Sequence, residues 1–184
     1  MKIILARHGK PDISTSQRVS PRDLAGWIEK YNQAGIQKME APQDIRGLAE
    51  CARLLVCSAL PRSKHSVHLL CENRAYISDA LYNEAGLRHV DWVWPVLPAY
   101  IWVSLFRAMW FVGFGQNSVS LHAARARAGQ AAGALVALAE QNQTVLLVGH
   151  GIMNNLIAGH LRKHGWTRSA RPKHNYWSAT TYYK

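Results

Sequence analysis

The sequence predicts an α/β fold of three layers, in which helices cover both faces of a mainly parallel central sheet and a small helical cap segment is added. Three short apolar runs, "KIILA" (2–6), "RLLVCS" (53–58) and "TVLLVGH" (144–150), have the composition of strands buried on both faces. Helical segments separate these runs, and that alternation is typical of parallel sheets. At 184 residues the chain is expected to form one domain, 1–184.

The first half of the chain carries the signals of two helices and a further strand. Ser20 has the position of an N-cap, Pro21 that of a first helical residue and Gly35 that of a stop, which predicts a helix of about 14 residues. A second helix begins near Pro61. The segment 75–86 alternates weakly between apolar and polar residues, which predicts a strand and a turn at its end.

In the second half, the Ala-rich segment 118–141 predicts the longest helix of the chain. A further helix over 152–165 follows the third apolar run, and 177–183 is a candidate last strand.

Segment 92–115 holds four of the seven tryptophans and a single charge, Arg107. Its length alone suggests a membrane span. However, Pro95 and Pro98 interrupt its start, and the arginine would lie deep in the bilayer at a cost of about 2.5–3.5 kcal/mol. A packed helix is therefore expected, with an interfacial or lid helix as the alternative. Its apolar positions on one face are Trp102, Leu105, Phe106, Met109 and Trp110.

The charge is strongly positive and unevenly distributed. The net charge is +11, and residues 92–184 carry nine Lys and Arg against Glu140 alone. Such a field favours anionic partners such as phosphorylated metabolites, nucleic acid or an anionic membrane surface, although a solvated basic surface is the alternative. The odd number of cysteines and the absence of a signal-peptide layout lead us to expect a cytoplasmic location. Cys51, Cys57 and Cys71 are expected to pack as small hydrophobes.

Polar side chains follow each of the three apolar runs. Because ligands of open α/β sheets bind beyond the carboxyl ends of the strands, these groups are expected to meet at one edge. Two arginines and two imidazoles there would form a cationic pocket suited to phosphate, with glycines that admit close approach of the backbone. The three segments are Arg7-His8-Gly9, the turn from Ser58 to Arg62, and Gly149-His150-Gly151.

Four motifs in a fixed order resemble the histidine phosphatase superfamily, to which the cofactor-dependent phosphoglycerate mutases are related. They are "ARHG" (6–9), an Arg after a strand and a Ser (58–62), the Glu in "LYNEAG" (81–86), and "VLLVGHG" (145–151). The resemblance extends over nearly the whole chain.

The resemblance implies a role for each site residue. His8 would be the nucleophile, because a neutral imidazole can accept a phosphoryl group. Arg7, Arg62 and His150 would bind the phosphoryl oxygens and stabilise the transition state. Glu84 would protonate the leaving oxygen and then accept a proton from water, although a solvated turn carboxylate is the alternative.

Two positions depart from the family pattern, in which a Thr and an Asn often follow the nucleophile. Pro11 and Ser14 occupy these places here. Ser14 can still donate a hydrogen bond to a phosphate oxygen, whereas Pro11 has no side-chain donor. Gly151 is expected to complete the phosphate site at the start of the last helix.

The resemblance also bears on the reaction. Mutases of the family are longer, so hydrolysis of a phosphomonoester is expected, with no cofactor and no metal. A mutase-type phosphotransferase, or a catalytically weak member that binds phosphorylated ligands or proteins, is the alternative. Segment 87–117 takes the place of the family's variable cap, and its tryptophans favour a small substrate with an apolar or aromatic leaving portion.

Two other classes are less well supported. The pairs His65 and His68, and His160 and His164, have helical spacing for a metal, but no carboxylate or Cys cluster completes them. The basic stretch 162–174 places a Trp among cations, as nucleic-acid binders do, but it lacks a recognisable motif. Nucleic acid is thus an unfavoured partner, a membrane surface stays open, and the substrate and oligomeric state are undetermined.

Overall fold

A six-stranded sheet forms the centre of the protein in a computed structural model that describes residues 1–71, 73–87, 90–113, 120–171 and 175–184. The strands are β1 (Lys2–Arg7), β3 (Leu54–Ser58), β4 (Tyr76–Asp79), β6 (Thr144–Gly149), β7 (Thr167–Arg168) and β8 (Ala179–Tyr183). Their order in the sheet is β4-β3-β6-β1-β8-β7, and the first four in this order are parallel. A separate two-stranded ribbon pairs β2 (Arg18–Val19) with β5 (Leu97–Pro98).

Helices cover both faces of the sheet, so the predicted mainly parallel α/β fold is confirmed. They are α1 (Leu24–Gln33), α2 (Gln43–Cys51), α3 (Pro61–Leu70), α4 (Ala99–Phe111), α5 (Leu121–Asn142) and α6 (Gly151–Lys163). Helices α5 and α6 pack on one face, where Ile3, Leu5 and Val56 point. Helices α2 and α3 pack on the other, against Ile4 and Leu55. Successive residues of a strand point to opposite faces of the sheet, and in these strands both sets are buried.

Register brings the ends of the three central strands to one edge. Arg7 at the end of β1 lies opposite Gly149 at the end of β6. Strand β3 pairs with the other side of β6, with Cys57 opposite Val148. The residues that follow these strands therefore leave the sheet at the same level.

Helix α1 begins one turn later than the predicted N-cap. The Ser20 hydroxyl accepts a hydrogen bond from the Asp23 N–H (3.2 Å) and donates one to the Asp23 carboxylate (2.6 Å). This pair caps a turn that precedes the helix, so the expectation that Ser20 caps the helix itself is wrong. Gly35 lies just beyond the helix, and a side chain there would clash with His65. A larger residue at this position would therefore displace the exposed His65 side chain.

The predicted strand over 75–86 is too long. Strand β4 ends at Asp79, whose carboxylate accepts a hydrogen bond from the Leu81 N–H (2.8 Å) and starts a 3-10 turn over Ala80–Tyr82. The turn carries the chain back towards the sheet edge, with Tyr82 buried in the core.

Helix α4 confirms a packed helix after Pro98. It buries Trp102, Phe106 and Trp110, spaced four residues apart, against α1 and the start of α5. Leu105 is exposed, which corrects its assignment to the buried face, because the stripe follows the i, i+4 row through Trp102. No helix among the described residues is long and apolar enough to cross a bilayer.

Three sequence expectations extend beyond the described residues. Residues 88, 89 and 114–117 of the predicted cap 87–117, residues 118 and 119 of the predicted helix 118–141, and residues 172–174 of the basic stretch 162–174 lie outside them. Helix α5 begins at Leu121, and the Ser120 hydroxyl caps it by accepting a hydrogen bond from the Ala123 N–H (3.1 Å). The three cysteines differ in burial: Cys57 is buried, Cys71 half-buried and Cys51 exposed.

Candidate active site

Two histidines meet at the carboxyl edge of the sheet. His8 follows β1, and His150 follows β6 and is the N-cap residue of α6. Their ring centroids lie 5.0 Å apart, and both side chains are buried. The parallel register of β1 and β6 produces this pairing, because each histidine is the first residue beyond its strand.

The ring of His8 is held by a backbone carbonyl. Its Nδ1 lies 2.7 Å from the Gly9 oxygen. Because a carbonyl oxygen only accepts, Nδ1 carries the proton and Nε2 has a free lone pair. Burial lowers the pKa of His8 to about 3, with smaller contributions from Arg62 and Arg7 against the opposing effect of the Gly9 carbonyl. The imidazole is therefore neutral near pH 7, as a nitrogen nucleophile must be.

His150 is fixed by two serine hydroxyls. Its Nε2 lies 2.6 Å from the Ser58 Oγ and 3.3 Å from the Ser63 Oγ. Ser58 also accepts a hydrogen bond from the Leu60 N–H (3.3 Å), so we assign its own proton to the bond with the histidine. Nδ1 of His150 then carries the ring proton. This atom is buried and makes no hydrogen bond within the described part of the chain.

The environment of His150 also keeps that ring neutral. Burial lowers its pKa well below the ordinary histidine value, followed by the effects of His8 and Arg62. A neutral ring with Nδ1–H is a hydrogen-bond donor for an oxyanion placed between the two histidines.

Two arginines beside the histidines stack on tyrosine rings. Arg62 is almost fully buried, and its guanidinium carbon lies 4.6 Å from the ring centroid of Tyr31. Arg7 lies 4.3 Å from the ring centroid of Tyr176 in the same way. Burial raises the pKa of Tyr31 to about 12, and the neighbouring Tyr176 adds to this shift. This tyrosine pair links the two cations and orients both.

Further contacts anchor Arg62 to helix α1. Its Nη1 donates to the Tyr31 carbonyl (3.0 Å) and lies 3.4 Å from the Asn32 Oδ1. Its Nε is buried and has no hydrogen-bond partner among the residues that the structure describes. Burial lowers the pKa of Arg62, whereas Tyr31 and Glu84 raise it. The group nevertheless stays charged, since a guanidinium titrates far above neutral pH.

Glu84 caps the helix that begins at the site. Its Oε1 accepts hydrogen bonds from the N–H groups of Ala85 and Met153 (both 3.0 Å), and its Oε2 accepts one from Ile152 (3.2 Å). The last two donors belong to the first turn of α6, where a carboxylate is favoured by the helix dipole. Arg107 holds the adjacent backbone by donating to the Ala85 carbonyl (3.0 Å). Glu84 is thus part of a built structure and not a freely solvated turn residue.

Two glycines lie at the site, and at Gly9 a close approach of Trp177 leaves no room for a side chain. A Cβ on Gly9 would lie 2.6 Å from the Trp177 ring, and the Gly9 N–H donates to the Ser66 hydroxyl (2.9 Å). A Cβ on Gly151 would lie 3.8 Å from the Arg7 guanidinium, which places the start of α6 directly beside that cation.

Ser14 lies apart from this cluster. It is exposed, and its hydroxyl hydrogen-bonds that of Ser16 (3.0 Å). Pro11 forms an isolated bridge with Ile36. The structure brings together the other predicted residues: Arg7, His8, Arg62, Glu84, His150 and Gly151. Sequence reasoning missed Tyr31, Tyr176 and Ser63, since a lone aromatic or serine on a helix or loop carries no motif.

The histidines of the alternative metal pairs make other contacts. His65 lies against Gly35, and the His160 Nε2 lies 3.0 Å from the Arg125 carbonyl. Within the described ranges, no three His, Cys, Asp or Glu side chains are grouped as a metal would require.

The mainly parallel sheet with paired histidines at its carboxyl edge defines an α/β protein built like the histidine phosphatases. A family model of the histidine phosphatase superfamily (branch 1) matches residues 3–182, and the chain belongs to that superfamily.

Solved structures share the fold at low identity. A mycobacterial glucosyl-3-phosphoglycerate phosphatase superposes with a TM-score of 0.59 at 20% identity, over 88% of this chain and 79% of that one. A phosphoserine phosphatase from Entamoeba histolytica gives a TM-score of 0.58 at 14% identity, over 98% and 89% of the two chains. No curated protein matches the sequence significantly.

Proposed function

We propose that this protein is a phosphatase that hydrolyses a phosphomonoester through a phosphohistidine on His8, without a metal ion. The observation that carries the proposal is the hydrogen bond from the His8 Nδ1 to the Gly9 carbonyl (2.7 Å), which leaves Nε2 with a free lone pair. Burial and the neighbouring arginines keep that lone pair unprotonated by lowering the pKa of His8 to about 3.

The reaction has two balanced steps. In the first, Nε2 of His8 forms a bond to phosphorus while the bond to the leaving oxygen breaks, and Glu84 in its protonated form gives that oxygen a proton. In the second, water attacks phosphorus, Glu84 takes a proton from the water, and the N–P bond breaks to release inorganic phosphate. The guanidiniums of Arg7 and Arg62 and the Nδ1–H of His150 stabilise the charge of both transition states.

The substrate is proposed to carry an apolar or aromatic leaving portion. Tyr31 and Tyr176 stack on the arginines of the site, and the Trp177 ring lies against Gly9. Trp102 and Trp110 are instead buried in the packing of α4. A groove of about 510 Å³ runs beside Asn32, the partner of Arg62. Its walls are mainly apolar and supply a site for the leaving portion; they are Ala25, Ile28, Glu29, Asn32, Gln33, Leu60, Pro61 and Leu87.

The domain organisation and location belong to the same proposal. We take 1–184 as one domain in which 87–117 is a cap beside the site. Leu87 supports this by lining the groove, and α4 supports it by packing on α1, which carries Tyr31. Three free cysteines fit a cytoplasmic location.

The test is hydrolysis of p-nitrophenyl phosphate in the presence of a chelator, comparing the native protein with His8→Ala and with His68→Ala. His68 is exposed on α3, outside the site, and serves as the matched control. We expect turnover in the native protein and in His68→Ala, none in His8→Ala, and an acid-labile, alkali-stable phosphoprotein in the native protein alone.

Two outcomes contradict the proposal. Equal turnover in His8→Ala excludes this nucleophile. Saturable binding of vanadate without turnover or a trapped phosphoprotein, tested also with alkyl phosphates, identifies a phosphate-binding member that does not catalyse.

A further inference from the structure

Helix α4 is apolar on both of its faces. The inner face packs into the protein through Trp102, Phe106 and Trp110. The outer face carries Tyr100, Ser104, Leu105, Ala108 and Phe111, all exposed and none charged. A surface helix ordinarily carries charged residues on its outer face, so the outer face of α4 does not have the composition of a solvent-facing surface.

The loop before α4 extends this surface. Trp92 and Trp94 are 58% and 78% exposed, and Val112 after the helix is 72% exposed. Eight of the fourteen exposed large apolar side chains in the described residues fall within 92–112. We call six of them the apolar face: Trp92, Trp94, Tyr100, Leu105, Phe111 and Val112.

The one charged side chain in this segment does not disrupt the apolar face. The Arg107 guanidinium is turned to the protein interior, where it donates to the carbonyls of Ala85 (3.0 Å) and Gly86 (3.2 Å). Between Asp91 and Glu140 the sequence contains no carboxylate at all. A patch with this concentration of exposed aromatic residues marks an interaction site.

Cations are attached to the edge of the apolar face. Arg18 is exposed and donates to the Val96 carbonyl (2.6 Å), and the backbone N–H of Arg22, also exposed, donates to the Trp92 carbonyl (2.9 Å). These bonds hold two basic residues beside the tryptophan loop. The exposed carboxylates of Asp23 and Asp91 adjoin Arg22 and Trp92 in the chain, so the arginines are not the sole charges at this edge. With the strongly basic chain as a whole, the apolar face fits a partner that accepts apolar and aromatic groups and carries negative charge around them.

Charge decides between the two obvious occupants. A second copy of this chain would bring a net charge of +11 against +11, which opposes association. An anionic bilayer offers the opposite charge, at about 1 kcal/mol per basic residue near its surface. It also offers an interfacial zone in which Trp and Tyr are favoured. With its inner face already packed on the protein, α4 can lie in that interface with its outer face towards the lipid.

We propose that the apolar face docks the protein on the surface of an anionic lipid bilayer, with Arg18 and Arg22 contacting the headgroups. This binding does not depend on the proposed chemistry at His8, and each of the two proposals can fail without the other.

The test is cosedimentation and tryptophan fluorescence with vesicles of phosphatidylcholine containing about 30% phosphatidylglycerol, and with vesicles of phosphatidylcholine alone. Phe111→Glu and Trp94→Ala alter the apolar face at positions exposed to solvent. Ile77→Glu on edge strand β4 is the matched control, since Ile77 is 41% exposed and Phe111 47%. Circular dichroism and thermal melting establish that each variant is folded.

We expect the native protein and Ile77→Glu to bind anionic vesicles with a blue-shifted fluorescence and to release them in high salt. Phe111→Glu should bind at least tenfold more weakly, and Trp94→Ala several-fold more weakly. If the native protein binds neither kind of vesicle, the proposal is overturned. Equal binding by Phe111→Glu also overturns it, because the attraction is then due to charge alone. A native dimer that Phe111→Glu dissociates, with no binding to vesicles, overturns it in favour of a second copy as the partner.

Discussion

Buried neutral histidines make the stability of this protein sensitive to acid. The pKa of His8 is lowered to about 3 in the folded protein, whereas an unfolded histidine titrates near 6.5. Below pH 6.5 the unfolded chain therefore binds a proton that the folded one does not, and the free energy of unfolding falls as the pH falls. At about 1.36 kcal/mol per pH unit, His8 alone lowers stability by about 2 kcal/mol between pH 7.5 and pH 5. His150 acts in the same direction, because its pKa is also lowered.

The assay is urea denaturation followed by tryptophan fluorescence at pH 7.5, 6 and 5, in buffers free of phosphate. The variant His8→Gln removes one titrating group, so its loss of stability over this range should be smaller than that of the native protein by about 2 kcal/mol. His68→Gln, altered at an exposed position, should retain the full dependence. The reasoning is refuted if His8→Gln and the native protein lose the same stability between pH 7.5 and pH 5.

Three further changes test the packing and chemistry of the site. Gly9→Ala places a Cβ 2.6 Å from the Trp177 ring, so thermal melting should show a free energy of unfolding lower by about 1–3 kcal/mol. Gly47→Ala, in open space on α2, is the control and should raise the free energy of unfolding by up to about 1 kcal/mol. Glu84→Gln should lower kcat for an aryl phosphate by about 10²–10⁴ while vanadate binding persists; an unchanged kcat contradicts its role as acid and base. Tyr176→Leu removes the ring that stacks on Arg7 and should weaken inhibition by inorganic phosphate by about 2- to 30-fold. Tyr176→Phe keeps the ring and should be inhibited like the native protein. Equal weakening in both variants would contradict stacking as the cause.

The part of the fold that sequence could predict is the part dictated by burial. Runs such as 144–148 have no polar residue after the first, so only a strand covered on both faces accommodates them, and β1, β3 and β6 appear where the runs lie. The carboxyl ends of β1 and β6 are followed by the predicted histidines, and that of β3 by the turn to Arg62. Parallel pairing aligns these three ends at one edge of the sheet.

Elements with weaker local signals were not predicted. Helix α2 buries only Ile45 and Ala49 on its apolar side, and small residues give little periodicity against the polar background. The ribbon of β2 and β5 joins two short segments about 80 residues apart, and only the packing of α4 on α1 brings them together. Tertiary contacts, and not local propensity, determine such elements.

At the candidate site, sequence motifs could indicate the charged groups but not what orients them. Arg7 and Arg62 come from different strand ends, and each is aligned by a tyrosine that lies far from it in the chain, Tyr176 and Tyr31 respectively. The pairing of these two tyrosines becomes recognisable only when α1 and the segment before β8 meet over the histidines.

The charges of the candidate site are the basis for proposing a dianion as its ligand. Two guanidiniums lie beside two imidazoles, and these positive charges disfavour protonation of the imidazoles. Glu84 is the nearby carboxylate, but its oxygens are already engaged by three backbone N–H groups. Among the described residues Glu84 therefore forms no direct ion pair with Arg62. In the proposed mechanism a phosphoryl group lies beside Arg62 and accepts the Nδ1–H of His150, and the Nε2 of His8 is the atom that attacks.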